Sequence, residues 1–264
     1  MNLRRVMLVA HPGKKEALEA EKELAAYLTE RGISASDDSP DLVISLGGDG
    51  SMLRAAQFAH SANVPLLGIN LGALGYLTEA ECGEEREAIE RILSGRYFLE
   101  ERLMLSCDAT TDSGARLGFV GLNEVLVERA TRYRVVRLRV TIDGQHFADF
   151  NADGVIVATP TGSTAYALSA GGPIVSPRAD SLIVVPVSPH RIFVRPVVLA
   201  PDEIVSIELL GPEQRASLSL DGAIGGDLQS GAQVTVSKHP RPLKLVRLGG
   251  PGFIERLRTK LDLP

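Results

Sequence analysis

Gly47, Gly48, Asp49 and Gly50 follow directly on the apolar run Asp41-Leu42-Val43-Ile44-Ser45-Leu46. Consecutive glycines after a buried strand allow backbone angles closed to other residues and let main-chain N–H groups approach an anion. A helix beginning there adds its positive end. A carboxylate inside such a turn sits beside bound phosphates, where its charge is opposed unless a metal, a proton or proton transfer compensates. Asp49 is therefore the candidate acid–base group. The same tetrapeptide also fits a plain strand-to-helix turn with Asp49 as the helix N-cap. Neither Gly-x-x-x-x-Gly-Lys-Ser/Thr nor an opening Gly-x-Gly-x-x-Gly is present, so neither common nucleotide fingerprint accounts for the turn.

Further residues could hold a ligand. Asn123-Glu124 sets an amide beside a carboxylate, a pair suited to an adenine edge and ribose hydroxyls. Asp153 opens the apolar stretch Gly154-Val155-Ile156-Val157-Ala158, where an acid either caps a turn or meets a polar ligand. Thr161-Gly162-Ser163-Thr164-Ala165-Tyr166 offers hydroxyls and free backbone N–H groups at a helix start, with Tyr166 able to stack on a base. An ordinary capped helix with a core tyrosine reads the same way. Arg54 and Arg134 could each reach a phosphate or simply face solvent, and Asp221-Gly222 reads as a turn between strands. His190 suits packing, His11 could line a cleft, and His60, His146 and His239 lack partners at metal-ligand spacing.

The elements that must position these residues change character along the chain. Val6 to Ala10, a turn at His11-Pro12-Gly13, and the Ala-, Leu-, Glu- and Lys-rich Lys14 to Arg31 read as strand, turn, helix. Asp41 to Leu46, Ser51 to Ala62 and Val64 to Ile69 repeat the alternation, which predicts a Rossmann-like parallel sheet with helices on its faces. A second glycine-bearing strand exit, Gly68 to Leu77, follows one unit later and faces the same carboxyl edge, where open α/β sheets bind ligands. From about Glu100 strands succeed one another: Met104–Ala109, Leu117–Glu128, Val135–Asp143, Gly154–Thr159, Ser181–Val187, Ile204–Leu210, Ala216–Leu220, Gln233–Ser237 and Leu243–Leu248, with a hairpin turn at Asp143-Gly144. Phe253, Leu257 and Leu261 recur four apart and predict an amphipathic last helix. The expected organisation is an α/β domain over 1–99, a mostly β domain over 100–248, and a helix over 249–264 that returns to the first domain.

Composition narrows the function classes. In 264 residues, 44% are hydrophobic and 23% charged, so a substantial core can form. The formal charge of −5 argues against nonspecific nucleic-acid binding, despite the local run Arg129, Arg132, Arg134, Arg137 and Arg139, which suits the solvated face of a strand. Cys82 and Cys107 make neither a disulfide framework nor a zinc site, and no apolar run reaches a membrane span. A reducing cytoplasm is the expected setting.

Four segments carry a resemblance: Gly47-Gly48-Asp49-Gly50-Ser51, Asn70-Leu71-Gly72-Ala73-Leu74-Gly75-Tyr76-Leu77, Leu122-Asn123-Glu124, and the run from Asp153 to Tyr166 containing Thr159-Pro160-Thr161-Gly162-Ser163-Thr164-Ala165-Tyr166. In this order and spacing the chain resembles the NAD kinase family, and Ser169-Ala170-Gly171-Gly172-Pro173 and Pro186-Val187-Ser188-Pro189-His190 extend the resemblance downstream. It implies transfer of the ATP γ-phosphoryl group to the 2′-hydroxyl of the adenosine ribose of NAD, with Mg2+ or Mn2+. Asp49 would be the base, a metal ligand or both, and Gly47, Gly48 and Gly50 would serve phosphates and the dinucleotide backbone. Asn123, Glu124, Arg54, Arg134, Asn151, Asp153, Thr161, Thr164, Ala165, Tyr166, Ser169 and Ser188 would contact NAD. Relatives usually carry an amide after Asp221-Gly222, where this chain has Ala223. The resemblance also implies a homodimer or homotetramer. Phosphofructokinases and diacylglycerol-kinase-type lipid kinases share the Gly-Gly-Asp-Gly turn, so a sugar or lipid kinase and a noncatalytic dinucleotide sensor are the competing readings.

Overall fold

The computed structural model describes residues 1–72, 75–110, 116–131, 134–190 and 195–263. They form two compact units: residues 1–102 with 243–264, and residues 103–242.

The first unit contains β1 (Arg5–Ala10), α1 (Lys15–Glu30), β2 (Ser34–Ala35), β3 (Leu42–Leu46), α2 (Asp49–Ala62), β4 (Leu66–Asn70), β5 (Ala80–Glu81), α3 (Glu85–Leu93) and β6 (Phe98–Arg102). It is completed by β19 (Leu243–Arg247) and α5 (Phe253–Lys260). Its sheet runs β2-β1-β3-β4-β19-β6, with β5 beside β4. All pairings are parallel except β19 with β6. Every residue of β3 and β4 is buried. That is why these strands read as unbroken apolar runs and not as alternating ones.

Two boundaries differ from the sequence expectation. Phe98–Arg102 belongs to the first unit, and so does Leu243–Arg247, because β19 inserts between β4 and β6. The second unit accordingly spans 103–242 and not 100–248. The last helix lies in the first unit, with Arg256 buried, Phe253 and Leu257 partly buried, and Ile254 and Leu261 exposed. Its attachment combines the buried Arg256 with the partly buried Phe253 and Leu257 of the stripe inferred from spacing.

The second unit contains β7 (Leu105–Thr110), β8 (Arg116–Gly121), β9 (Glu124–Arg129), β10 (Val136–Ile142), β11 (Gln145–Ala152) and β12 (Gly154–Ala158). A 3-10 turn over Gly162–Thr164 and the short α4 (Tyr166–Ser169) follow. Then come β13 (Leu182–Val187), β14 (Val197–Leu199), β15 (Val205–Leu209), β16 (Arg215–Leu220), β17 (Ala223–Gln229) and β18 (Gln233–Lys238). Two antiparallel sheets, β11-β10-β15-β18-β7-β8 and β14-β13-β12-β9-β16-β17, share one core. Val125, Val127, Val155, Val157, Leu182 and Val184 point into that core. Leu126, Ile156, Ile183 and Val185 form a second cluster on the opposite face with Ala167 of α4. The central strands are thus apolar on both faces, and the Thr159–Val175 segment is the cover on one of them.

The expected single strand Leu117–Glu128 is two strands broken at Leu122-Asn123. The break has a cause. The N–H groups of Leu122, Asn123 and Glu124 all donate to the Asp221 carboxylate, at 2.7, 2.7 and 3.1 Å. The turns at Asp143-Gly144 and Asp221-Gly222 have φ of 48°, 74°, 50° and 78°, the left-handed values such hairpins require.

Candidate active site

In the first unit, β3 runs into Gly47 (φ 152°) and Gly48, and α2 begins at Asp49. A side chain at Gly48 or Gly50 would meet no protein atom within 4 Å, so the space before the turn is open. Gly48 is the N-cap, and no side chain caps the helix. The cap reading of Asp49 is therefore set aside. Its carboxylate instead accepts the N–H of Tyr76 at 2.9 Å on Oδ2 and that of Leu77 at 3.1 Å on Oδ1. Lys260 Nζ lies 3.9 Å from Oδ2 and 4.8 Å from the centre of the Tyr76 ring. Burial, then the nearby Asp49 charge, raises the Tyr76 phenol above its usual range. Arg54 donates to the Ala10 carbonyl at 3.0 Å, placing it at the carboxyl end of β1. Gly47, Gly48, Asp49, Gly50 and Arg54 thus gather at one sheet edge.

The loop that serves Asp49 rests on buried charge. The Gly75 carbonyl accepts Arg256 Nη1 at 2.9 Å. Glu79 pairs with Arg256 at 3.4 Å and with Arg247 at 3.0 Å, and accepts the N–H of Leu248 and Gly250. Arg247 also pairs with Glu100, which meets Arg102 at 3.1 Å. Burial, then the Arg247 charge, pulls Arg102 down to about 10, so this cluster is crowded with cations. Its partners hold each other in place, and removing one would strand a buried charge.

In the second unit, the Asp221 clamp fixes Asn123 and Glu124 at the start of β9, beside the end of β12, where Ala158 pairs with Glu124. Thr159 donates its hydroxyl to the Leu122 carbonyl at 2.6 Å and accepts the Gly162 N–H at 3.0 Å. The Thr161–Gly162 backbone is thereby laid against Asn123. Glu124 is buried and its Oε2 has no protein partner. Burial, then the Asp221 charge, pushes Glu124 up to about 7. Burial also raises Asp221, while its three backbone N–H donors act in the opposite sense and support the negative form. An orphaned buried carboxyl oxygen in such a place is suited to a polar ligand.

At the far end of β12, Asp153 pairs with Arg129 at 2.8 Å, and Ser188 (φ 45°) follows β13, whose Val187 pairs with Gly154. The Asn151 carbonyl accepts the His190 N–H at 2.9 Å. Tyr166 and Ser169 are exposed on α4, and burial, then Glu128 and Asp153, raises the Tyr166 phenol. The N–H groups of 161–166 are less free than expected: Gly162 bonds Thr159, Ser163 bonds Pro160 and Ala165 bonds Gly162. Ser163 also bridges to Val175, and Thr164 donates to Thr161. Their hydroxyls shape the loop first.

Arg134 lines a cavity of about 830 Å³ with Arg215, Glu213, Gln214 and Gln229. Within the basic run, Arg137 and Arg139 pair with Asp149, as a solvated strand face would. Ala73, Leu74, Arg132 and Arg191 lie outside the described residues. Sequence reasoning saw Asp221 only as a turn and missed Glu79, Arg247, Arg256 and Lys260. Among the described residues no three His, Cys, Asp or Glu side chains converge to hold a metal. No described helix is long and apolar enough to cross a membrane.

Comparison with known proteins finds matches across both units. Residues 32–97 match the family model described as the ATP-NAD kinase N-terminal domain, and residues 122–248 match the ATP-NAD kinase C-terminal domain. The chain is similar to the NAD kinase of Gemmatimonas aurantiaca, 38% identical over 97% of this chain and 89% of the relative. It is similar also to that of Nocardia farcinica, 34% identical over 99% and 92%. Among solved structures, yeast NADH kinase complexed with NADH gives a TM-score of 0.89 at 25% identity, covering 99% of this chain and 88% of the other. An Archaeoglobus fulgidus NAD kinase in complex with ATP shares the fold, with a TM-score of 0.75.

Proposed function

The chain belongs to the NAD kinase family, and from that premise we propose that it moves the γ-phosphoryl group of ATP to the 2′-hydroxyl of the adenosine ribose of NAD, giving NADP and ADP. The observation that carries the role of Asp49 is its double N–H clamp: both oxygens are oriented by Tyr76 and Leu77 at the open glycine turn. As the ribose oxygen attacks phosphorus, Asp49 takes its proton, and the bond from phosphorus to the β-phosphate oxygen breaks. Gly47, Gly48 and Gly50 present backbone to phosphates, and the N-terminus of α2 favours their charge.

Asn123 and Glu124 take the adenine edge and ribose hydroxyls, which fits the unpartnered Glu124 oxygen. Thr161, Thr164, Ala165, Tyr166 and Ser169 border the dinucleotide, and Asp153, Asn151 and Ser188 serve its nicotinamide end. Arg54 and Arg134 take phosphates. A divalent ion, Mg2+ or Mn2+, fits as a companion of the triphosphate, whose charge it neutralises, because the protein supplies Asp49 and no built carboxylate cage among the described residues. The free thiols of Cys82 and Cys107 support a cytoplasmic setting. A homodimer or homotetramer is supported by exposed Ile224 on the edge strand β17 and Val198 on the edge strand β14.

Purified protein given NAD, ATP and Mg2+ or Mn2+ is expected to form NADP, and Asp49→Asn should slow kcat by about 10²–10⁴-fold. No NADP with any metal or phosphoryl donor would remove the enzyme reading. Full turnover in the variant would remove the role of Asp49 and leave the substrate assignment standing.

A further inference from the structure

We propose that Arg256, on α5, is a positioning residue for phosphoryl transfer, holding the loop whose backbone orients Asp49. The proposal rests on the reading of Asp49 as the reacting carboxylate. Arg256 is only 4% exposed, although most of α5 is exposed. A guanidinium has five donors in a fixed plane and is costly to bury without acceptors, so what it bonds is informative. Nε donates to the Pro251 carbonyl at 2.9 Å and Nη1 to the Gly75 carbonyl at 2.9 Å, while Nη2 faces Glu79 at 3.4 Å. The fork thus ties the root of α5 to the residue immediately before Tyr76.

The effect reaches the carboxylate in one step. With the Gly75 carbonyl held, the next two N–H groups, of Tyr76 and Leu77, aim at Oδ2 and Oδ1 of Asp49. One turn along α5, Lys260 comes to 3.9 Å from the same Oδ2. A single helix therefore sets the loop behind the carboxylate and places a cation beside it. Glu79 fixes the guanidinium, and Arg247, bonded to Glu79 and to the Leu77 carbonyl, secures the other end of the loop. Misplacing a reacting group by about 1 Å costs on the order of 10²-fold in rate. Release of the Gly75 carbonyl is a route to that displacement without any loss of substrate contacts.

The test measures kcat and KM for NAD and ATP in Arg256→Ala and Arg256→Lys, with thermal unfolding and amide hydrogen exchange at Tyr76 and Leu77. Arg256→Ala should lower kcat about 10²-fold, leave both KM values within about threefold, and speed exchange at the two amides. Arg256→Lys keeps a charge opposite Glu79 but lacks the fork, so it should recover about tenfold of the loss. The lysine variant also carries the test if the alanine variant does not fold. Ile254→Ser, at an exposed position of the same helix, should match the parent. Folded Arg256→Lys with parental kcat and parental exchange overturns the proposal, as does an equal loss in Ile254→Ser. Full turnover in Asp49→Asn would overturn it by removing its premise. Loss in Asp49→Asn together with parental kcat in Arg256→Lys would remove the Arg256 role alone.

Discussion

A Cβ added to Gly75 would lie 2.4 Å from Oδ1 of Asp49. The added carbon would also lie 2.7 Å from Thr78 Oγ1, and both contacts are with side-chain atoms, so Gly75→Ala would turn the carboxylate away from Tyr76 and Leu77 and shift the Thr78 hydroxyl. The cost should appear in chemistry, with kcat down about 10²-fold in the folded variant. Parental kcat in a folded Gly75→Ala would contradict the clamp.

Gly162 presents the opposite case. Its added Cβ would meet the Asn123 carbonyl oxygen at 2.1 Å, and both partners are backbone. Gly162→Ala should cost about 3 kcal/mol of stability or more, since neither element can yield without breaking the Thr159 bonds. Denaturant unfolding measures this directly, and a midpoint equal to the parent's would show that the loop does not pack as described.

Glu124 makes stability depend on pH. Its carboxyl is pushed from 4.5 up to about 7, by burial and then by Asp221. The folded protein keeps a proton that the unfolded chain has released, so this stabilisation is full below about pH 4.5 and is lost as pH rises through 7. The effect is on the order of 3 kcal/mol. Urea unfolding of the ligand-free protein between about pH 5 and pH 8 should show the decline, and Glu124→Gln should flatten it. Equal slopes in the two proteins would contradict a protonated Glu124.

Asp221→Asn should injure NAD binding without touching the phosphate turn. An asparagine can keep two of the three N–H bonds but sets its amide nitrogen against the Leu122 N–H. One unsatisfied donor costs about 1–3 kcal/mol, enough to raise the KM for NAD about tenfold if the strand end shifts. An unchanged KM with an unchanged melting temperature would show that the clamp is dispensable.

The parts legible in the sequence were those whose signal is local. β3, the glycine turn and α2 could be read because a continuous apolar run, two glycines and a helical spacing fall within about twenty residues of one another. Asn123-Glu124 and the Thr161–Tyr166 segment were legible as chemistry, but not as neighbours. Their contact depends on β9 pairing with β12 and on a glycine at 162. What supports Asp49 was not legible at all. Arg256 reaches Gly75 across 181 positions, and Arg247 reaches Glu79 across 168. Arginine spacing on a short helix does not distinguish such a residue from a solvated one. For the same reason β19 was assigned to the wrong unit: its apolar pattern announces a strand but not its partner.

The insertion of β19 between β4 and β6 bears on how the protein is made. Translation produces the glycine turn early, yet the strand that closes its sheet and the arginine that steadies its loop come from residues 243 and 256, after all of residues 103–242. A nascent chain therefore carries Asp49 through the synthesis of residues 103–242 without the framework that aims it. Catalytic competence arrives only once residues 243–260 are made, and a ribosome-stalled fragment ending at Pro242 should be inert.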